Sequence, residues 1–504
     1  MKHHMTYRSF LGTAALLAST TASLADVTAQ EVWNGWKTYA ESTGQTLNIG
    51  SRDNENGAII LHNISMNFDM PNGKSSASLE RLEFRERGDG TVAVTMSPDL
   101  PISISTARPE SGSLDLTMIA HQTGLSIVAS GTPENINFDY LASRIALELD
   151  KLFVDGDAVD LNASVAINDS NGKYSIQSDS GKSIASSMRA ASLAYDVVIP
   201  DPEKGGKMTI SGKMNDISTR SSLSVPTGLN MADPAAMFAS AFSGDSHFKA
   251  GASSSHAQLS GQPDEFTLDT SSDGTTLDAR IGDGGLSYGG SSTGVKYAFR
   301  SPSLPFPELT ASAGEIGLLL AMPMARSDTD KDFSFKLNLK DVEFADALWN
   351  MFDPGQVMPR DPTTLSLDIS GRMHWLVDLF DQQAVDNFPG DSPLMINKLA
   401  INDVEVSTLG ARVTGKGDFT FDNSDTTTFK GMPAPAGAID LTLVGVYGLL
   451  DRLGQMGILP QDQAAGVTMM LGLFARPGGD ADTLVSKIEV KGDGSVFANG
   501  QQLK

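Results

Sequence analysis

The sequence predicts an α+β, β-dominated fold of large twisted antiparallel sheets with helices packed on one face. Three observations carry that expectation. Apolar and polar residues alternate through most of the chain, as at Phe333, Phe335, Leu337 and Leu339, which makes one sheet face apolar and the other wet. Clusters of Gly, Asn, Asp and Pro separate the alternating runs, and the 504 residues include 49 Gly and 23 Pro. Apolar residues at helical spacing occur in only a few short stretches.

The first such stretch is 26–43. There Ala29, Val32, Trp33, Trp36, Tyr39 and Ala40 share a face, and Gly44 supplies a stop. The period then changes to two, through Leu47, Ile49, Ile59, Leu61 and Ile64, and again at Val92, Val94 and Met96. Further strands are read at 114–120, 125–129, 161–167, 174–177, 193–199 and 208–211. Asn-Asp-Ser-Asn-Gly at 168–172 reads as a hairpin turn between two of them. Residues 233–242 read as a helix with Asp233 as N-cap and Pro234 in the first turn. Weak strands follow around 266–268 and 277–281, in a Ser- and Gly-rich stretch.

The C-terminal half reads as a repeated strand-then-helix unit: 333–339 before 345–352, 365–371 before 376–380, and 439–445 before 449–456. Aligning Gly371 on Gly445 superposes Leu376 on Leu450 and Leu379 on Leu453, the signature of a weak internal repeat. Strands at 399–406 and 413–421 lie between. A helical hairpin opens its second arm at Pro460, and strands at 485–490 and 495–498 close the chain. The expected division is a signal peptide at 1–25, an N-terminal helix plus antiparallel β half at 26–225, a helix and Gly/Ser-rich variable connection at 226–300 and a strand-plus-helix repeat half at 301–504.

Lys and Arg number 37 against 61 Asp and Glu, a formal net charge of −24, which argues against a nucleic-acid partner. The absence of Cys excludes disulfides, thiolate metal sites and cysteine nucleophiles. Lys2 and Arg8 precede a short apolar run at 10–18, and Ser23 and Ala25 are small residues at cleavage-site positions. This layout predicts export to the periplasm with cleavage after Ala25; losing Lys2 and Arg8 takes the charge from −24 to −26. No later run offers 18 uncharged apolar residues, so no transmembrane segment is expected in the mature chain.

Catalytic motifs fail on context. Gly-Ser-Ser-Thr-Gly at 290–294 places Ser292 in a nucleophile position, but a Gly-rich stretch precedes it and a strand follows where a helix is needed. Asp328, Asp330 and Asp332 open like a calcium loop, yet Phe333 and Leu339 stand where Gly and Glu are required. Gly-Lys-Ser at 181–183 lacks the first Gly of a phosphate loop, with Ile176 in its place. The histidines fall in no zinc-binding spacing. The expectation is therefore a non-enzymatic protein without cofactor or metal.

Apolar helix surface is the remaining feature. Leu449, Leu450, Leu453, Met456, Val467, Met470, Leu471 and Phe474 are candidates for a groove between sheet and helices that shelters an apolar or lipid ligand. The alternatives are core packing of the same stripe, a ligand-free structural or interaction module of the envelope, and an unidentified hydrolase.

Leu-Trp-Asn-Met-Phe-Asp-Pro-Gly at 348–355, Pro-Arg-Asp-Pro at 359–362 and Leu-Asp-Ile-Ser-Gly at 367–371 come in close succession. Gly-Lys-Gly-Asp-Phe-Thr-Phe-Asp-Asn at 415–423, Gly-Met-Pro-Ala-Pro-Ala-Gly at 431–437 and Asn499-Gly500 follow. With Val32-Trp33 and the run 84–94, these resemble the exported alphaproteobacterial family catalogued as domain of unknown function twenty-one twenty-five. The resemblance implies an envelope protein of unassigned activity, with no catalytic residues to carry over. Export and the apolar helix surface, by themselves, lead to the expectation of a lipid or another envelope protein as partner.

Overall fold

The computed structural model describes residues 27–42, 44–70, 72–108, 112–177, 181–201, 205–230, 233–261, 265–389 and 392–504. The expected signal peptide and its cleavage point lie outside them. Every named strand belongs to one antiparallel sheet.

Helix α1 (Ala29–Ser42) opens the described chain. Thr28 and Glu31 cap it reciprocally: the Thr28 amide donates to the Glu31 carboxylate at 2.9 Å and the Glu31 amide to the Thr28 hydroxyl at 3.3 Å. Strands β1 (Gln45–Glu55), β2 (Ala58–Met70) and β3 (Gly73–Glu86) form a meander. The next two strand positions are each split, into β4 (Val92–Met96) with β5 (Asp99–Arg108), then β6 (Gly112–Thr123) with β7 (Ser126–Thr132). Strand β8 (Asn135–Val154) spans both halves again and is edged by β9 (Asp157–Ala158).

Three long strands continue the ladder: β10 (Asn162–Gln177), β11 (Gly181–Asp201) and β12 (Gly206–Pro226). Helix α2 (Pro234–Ala239) starts where expected, with the Asp233 carboxylate accepting from the Ala236 amide at 3.1 Å. The split pattern then recurs in β13 (Ser243–Ala250) with β14 (Ser253–Ser260) and β15 (Phe266–Ser272) with β16 (Gly274–Gly282), before β17 (Gly285–Arg300) rejoins the halves. After α2, strands β13–β17 of this stretch pair with their neighbours in the ladder.

Strands β18 (Leu309–Pro323) and β19 (Lys331–Phe344) precede α3 (Asp346–Phe352), and β20 (Thr363–Trp375) precedes the short α4 (Gln382–Asp386). Strands β21 (Leu394–Thr408), β22 (Ala411–Asp422) and β23 (Ala434–Val444) lead to the hairpin of α5 (Val446–Gln455) and α6 (Gln461–Phe474). Short β24 (Arg476–Pro477), then β25 (Thr483–Val490), β26 (Val496–Ala498) and β27 (Gln501–Gln502) finish the sheet. Helix α1 packs on the sheet, whereas α3, α4, α5 and α6 sit in connections between strands.

The expected repeat fails. Gly371 lies in the middle of β20, with Phe333 as its cross-strand partner, while Gly445 is the left-handed residue that starts α5. Strand β20 also runs on to Trp375, so the helix following it is displaced to Gln382–Asp386. Shared Leu spacing does not make a shared unit here.

A seam crosses the strands. From β1 to β19 the pairing skips one residue or breaks at the same level in every strand. It passes through Gly50, Asn63, Glu80, Pro98, Gly124, Ser143, Asp169, Ala191, Asp216, Gly251, Asp273, Gly294, Gly314 and Asp341. Asn63, Asp169, Asp216 and Asp341 have φ near +50°, a conformation their short polar side chains tolerate. This corrects the reading of 168–172 as a hairpin turn: those residues lie inside β10, and their turn chemistry serves the seam. Such interruptions bend strands and increase their twist. Ala190, Ile217, Ala250, Val295 and Ala313 flank the seam and are buried, although the main helix packing falls on β1–β3 and β22. The sheet itself therefore turns over them.

The chain exposes 29886 Å², against about 18,000 Å² for a compact monomer of its mass. The residues outside the described set would account for only roughly 7,000 Å² even as fully extended chain. An open sheet explains the rest.

Candidate apolar groove

Register builds the site. One row of cross-strand partners runs Ile59, Phe84, Val94, Ile127, Tyr140, Gly172, Met188, Thr219, Phe248, Leu277, Gly290, Leu318, Leu337, Leu367, Val404, Gly415, Leu441 and Ser486. None of these residues carries a charge. A parallel row on the same face, from Val92 through Phe138, Tyr174, Tyr288, Leu320, Phe335, Ile369 and Ile439 to Ala498, is also uncharged. At about 4.8 Å per strand, eighteen strand positions extend over roughly 80 Å.

The opposite face differs in kind. Lys173 pairs with Asp139 at 2.8 Å, His247 with Asp278 at 2.7 Å and Lys336 with Asp368 at 2.7 Å, each across adjacent strands. His62, His121, His256 and His374 also sit beside an Asp. Among the described residues no group of three or more side chains is placed to hold a metal ion.

Helix α1 covers one end of the apolar face. Trp33 and Trp36 lie 5.8 Å and 5.4 Å from the Phe84 ring, and Trp36 is 6.0 Å from Phe138. Val32, Phe84, Val92 and Val94 are wholly buried there. Further along, the same face is open: Leu277, Leu286, Tyr288, Leu318 and Leu320 are exposed.

Two glycines let aromatic rings lie flat on this face. A Cβ on Gly212 would meet the Tyr195 ring at 2.5 Å, and one on Gly371 would meet Phe333 at 2.5 Å. Tyr195 donates to the Ser255 hydroxyl at 3.0 Å, so its polar end is satisfied. Tyr195, Tyr297 and Phe344 line a cavity of about 860 Å³ across β11, β12, β14, β15, β17, β18 and the end of β19. That volume lies in the range of small-molecule sites.

The helical candidates lie at one end of the strands. Leu449, Leu450, Leu453, Met456 and Leu471 are half-buried, while Val467, Met470 and Phe474 are exposed. Asp482 caps α5 from 35 residues away, accepting from the Tyr447 and Gly448 amides at 3.0 and 2.9 Å. Arg452 donates to the Leu409 carbonyl at 3.0 Å and ties α5 to the turn after β21. Sequence reasoning chose these helices and missed the sheet rows, although the apolar alternation that marks the rows was legible.

The motif residues have structural duties. Ser292 lies within β17 and meets the Thr275 hydroxyl at 2.9 Å; Gly290 belongs to the apolar row and Gly294 to the seam. Asp330 accepts from Asn397 at 2.6 Å and lies 2.8 Å from His374 Nδ1. Asp353 is buried at the end of α3 and accepts from the Val357 and Met358 amides at 2.9 and 2.7 Å, which hold its carboxyl below the usual range. Arg360 donates to Asp346 and Asn350, folding the loop back onto α3.

Fold and groove define a class: a β-dominated protein built on one antiparallel sheet, with an apolar face that helices cover only in part. The chain belongs to the family described as uncharacterized protein conserved in bacteria (DUF2125), which it matches over residues 214–500. The match starts within β12 and takes in all of the open stretch, including the whole of 226–300. No curated protein matches the chain.

Proposed function

We propose that this is a non-enzymatic protein of the bacterial periplasm that holds an apolar ligand, of the acyl-lipid class, along the open face of its sheet. One observation carries the reading: the uncharged rows extend well past the cover of α1, half-buried along most of their length and exposed at Leu277, Tyr288, Leu318 and Leu320, where burial of apolar surface is worth about 25 cal/mol per Å² to an occupant. Contiguous exposed apolar surface of this extent marks an interaction site. Export rests on the basic start, short apolar run and small cleavage-site residues of the first 25 positions.

Native mass spectrometry and lipid extraction of protein purified from the periplasm test the proposal. The expected result is protein carrying acyl lipid that organic extraction releases. A ligand-free protein that also fails to take up a fluorescent fatty acid would overturn it.

A further inference from the structure

Helix α6 inverts the usual arrangement of an amphipathic helix. At 100° per residue, Met469, Leu473, Met470, Phe474 and Val467 fall in that order over an arc of about 160°. All five are exposed, Met469 at 70%. From Gln463 to Ala475 no residue ionises, and the flanking charges are Asp462 and Arg476. A helix that is apolar almost all round belongs in an apolar medium, whereas a protein groove needs only a stripe.

Position and charge specify the medium. Thirteen uncharged residues at the tip of a chain with net charge −24 match hydrocarbon and offer nothing to a basic protein partner. The α6 residues span about 21 Å, too short to cross a bilayer but enough to lie in its interface. Among the described residues no helix is long and apolar enough to cross a membrane. On the same end of the strands, α3 exposes Phe352 at 70%, and the 860 Å³ cavity reaches Phe344 and Ala345 at the foot of α3. Pro359, after α3, and Arg452 of α5 both approach Gly410, which places the two helical elements side by side.

We infer that the α5–α6 hairpin, with α3 beside it, docks the protein on a neutral lipid bilayer by burying α6 in the interface, next to the end of the groove. This goes beyond ligand holding and stands on different residues.

The chain has no Cys, so Met470→Cys gives a single attachment point for an environment-sensitive fluorophore. The labelled protein is mixed with phosphatidylcholine vesicles, with and without brominated acyl chains, beside a control labelled at exposed Asp157→Cys on β9. Expected are co-flotation with the vesicles, a blue shift and bromine quenching at position 470, and neither spectral change at position 157. In the unlabelled protein, Met470→Asp with Phe474→Asp lowers flotation at least tenfold while the circular dichroism spectrum and melting temperature hold. Absence of flotation overturns the inference, as does flotation that the double variant retains. Self-association lost in the double variant, without vesicle binding, overturns it in favour of a protein interface. Lipid extraction reports separately on the groove: an empty groove with vesicle binding intact fails the ligand proposal and leaves this one standing.

Discussion

Phe84 and Leu318 occupy the same row of the same sheet face, yet Phe84 is 0% exposed and Leu318 45%. Trp33 and Trp36 of α1 make the difference, because they lie over Phe84, and among the described residues no comparable cover lies over Leu318. Register gives both residues an inward-facing role; cover decides whether that role is core or surface. The N-terminal end thus behaves as a small packed domain, and the rest of the face as an uncovered continuation of it.

Truncation separates the two regions most sharply. Phe84→Ala leaves a cavity beneath α1 and is expected to cost about 3–5 kcal/mol. Leu318→Ala, on the open stretch, is expected to cost less than about 1 kcal/mol. Urea denaturation of both variants measures this, and equal losses would mean that the open stretch is as well packed as the covered end. The converse effect falls on ligand: Leu318→Arg with Leu320→Arg puts charge into both uncharged rows at an exposed place. Co-purifying lipid is expected to drop several-fold while the melting temperature holds.

Much of this was legible in the sequence, and the misreadings have a physical cause. Alternation marked the strands, and Asp233 marked a helix start. Residues 168–172 were misread because Asn, Asp and Gly serve any backbone that must leave the β region, in a turn or in the middle of a strand. A signal for the seam did exist. Apolar positions on β12 step Ile210, Gly212, Met214 and then Ile217, Thr219, Ser221, a phase slip at Asp216. On β10 they step Val165, Ile167 and then Ser170, Gly172, Tyr174, a slip at Asp169. What no pattern in the strands reveals is which part of the face α1 covers, because that depends on a contact between distant segments.

The seam gives a middle-sized test that holds in both regions. Gly294 has φ +59°, and a Cβ there would stand 2.0 Å from the Asp273 carboxylate. Gly294→Ala is expected to cost about 1–2 kcal/mol from the backbone conformation and the clash. Ser292→Ala, two residues away, loses one hydroxyl contact with Thr275 and is expected to cost under about 1 kcal/mol. If the serine variant proved the more damaging in thermal melts, the seam would not be what holds this strand.

The smallest effect belongs to the rim of the open stretch, where polar groups do the fastening that α1 does elsewhere. Partial burial tends to raise the Asp330 carboxyl, but contacts with His374 and Asn397 outweigh it and hold the group below its ordinary value. A carboxylate whose folded value is depressed adds stability that is complete above its unfolded value of about 4 and is lost as pH falls through the lower folded value. The stability difference between wild type and Asp330→Asn is therefore expected to shrink as pH falls from about 4 toward pH 3. Thermal melts across that range read it directly. A difference that stayed undiminished at pH 3 would assign the fastening to hydrogen-bond geometry alone, because a protonated and an ionised carboxyl would then hold the rim in the same way.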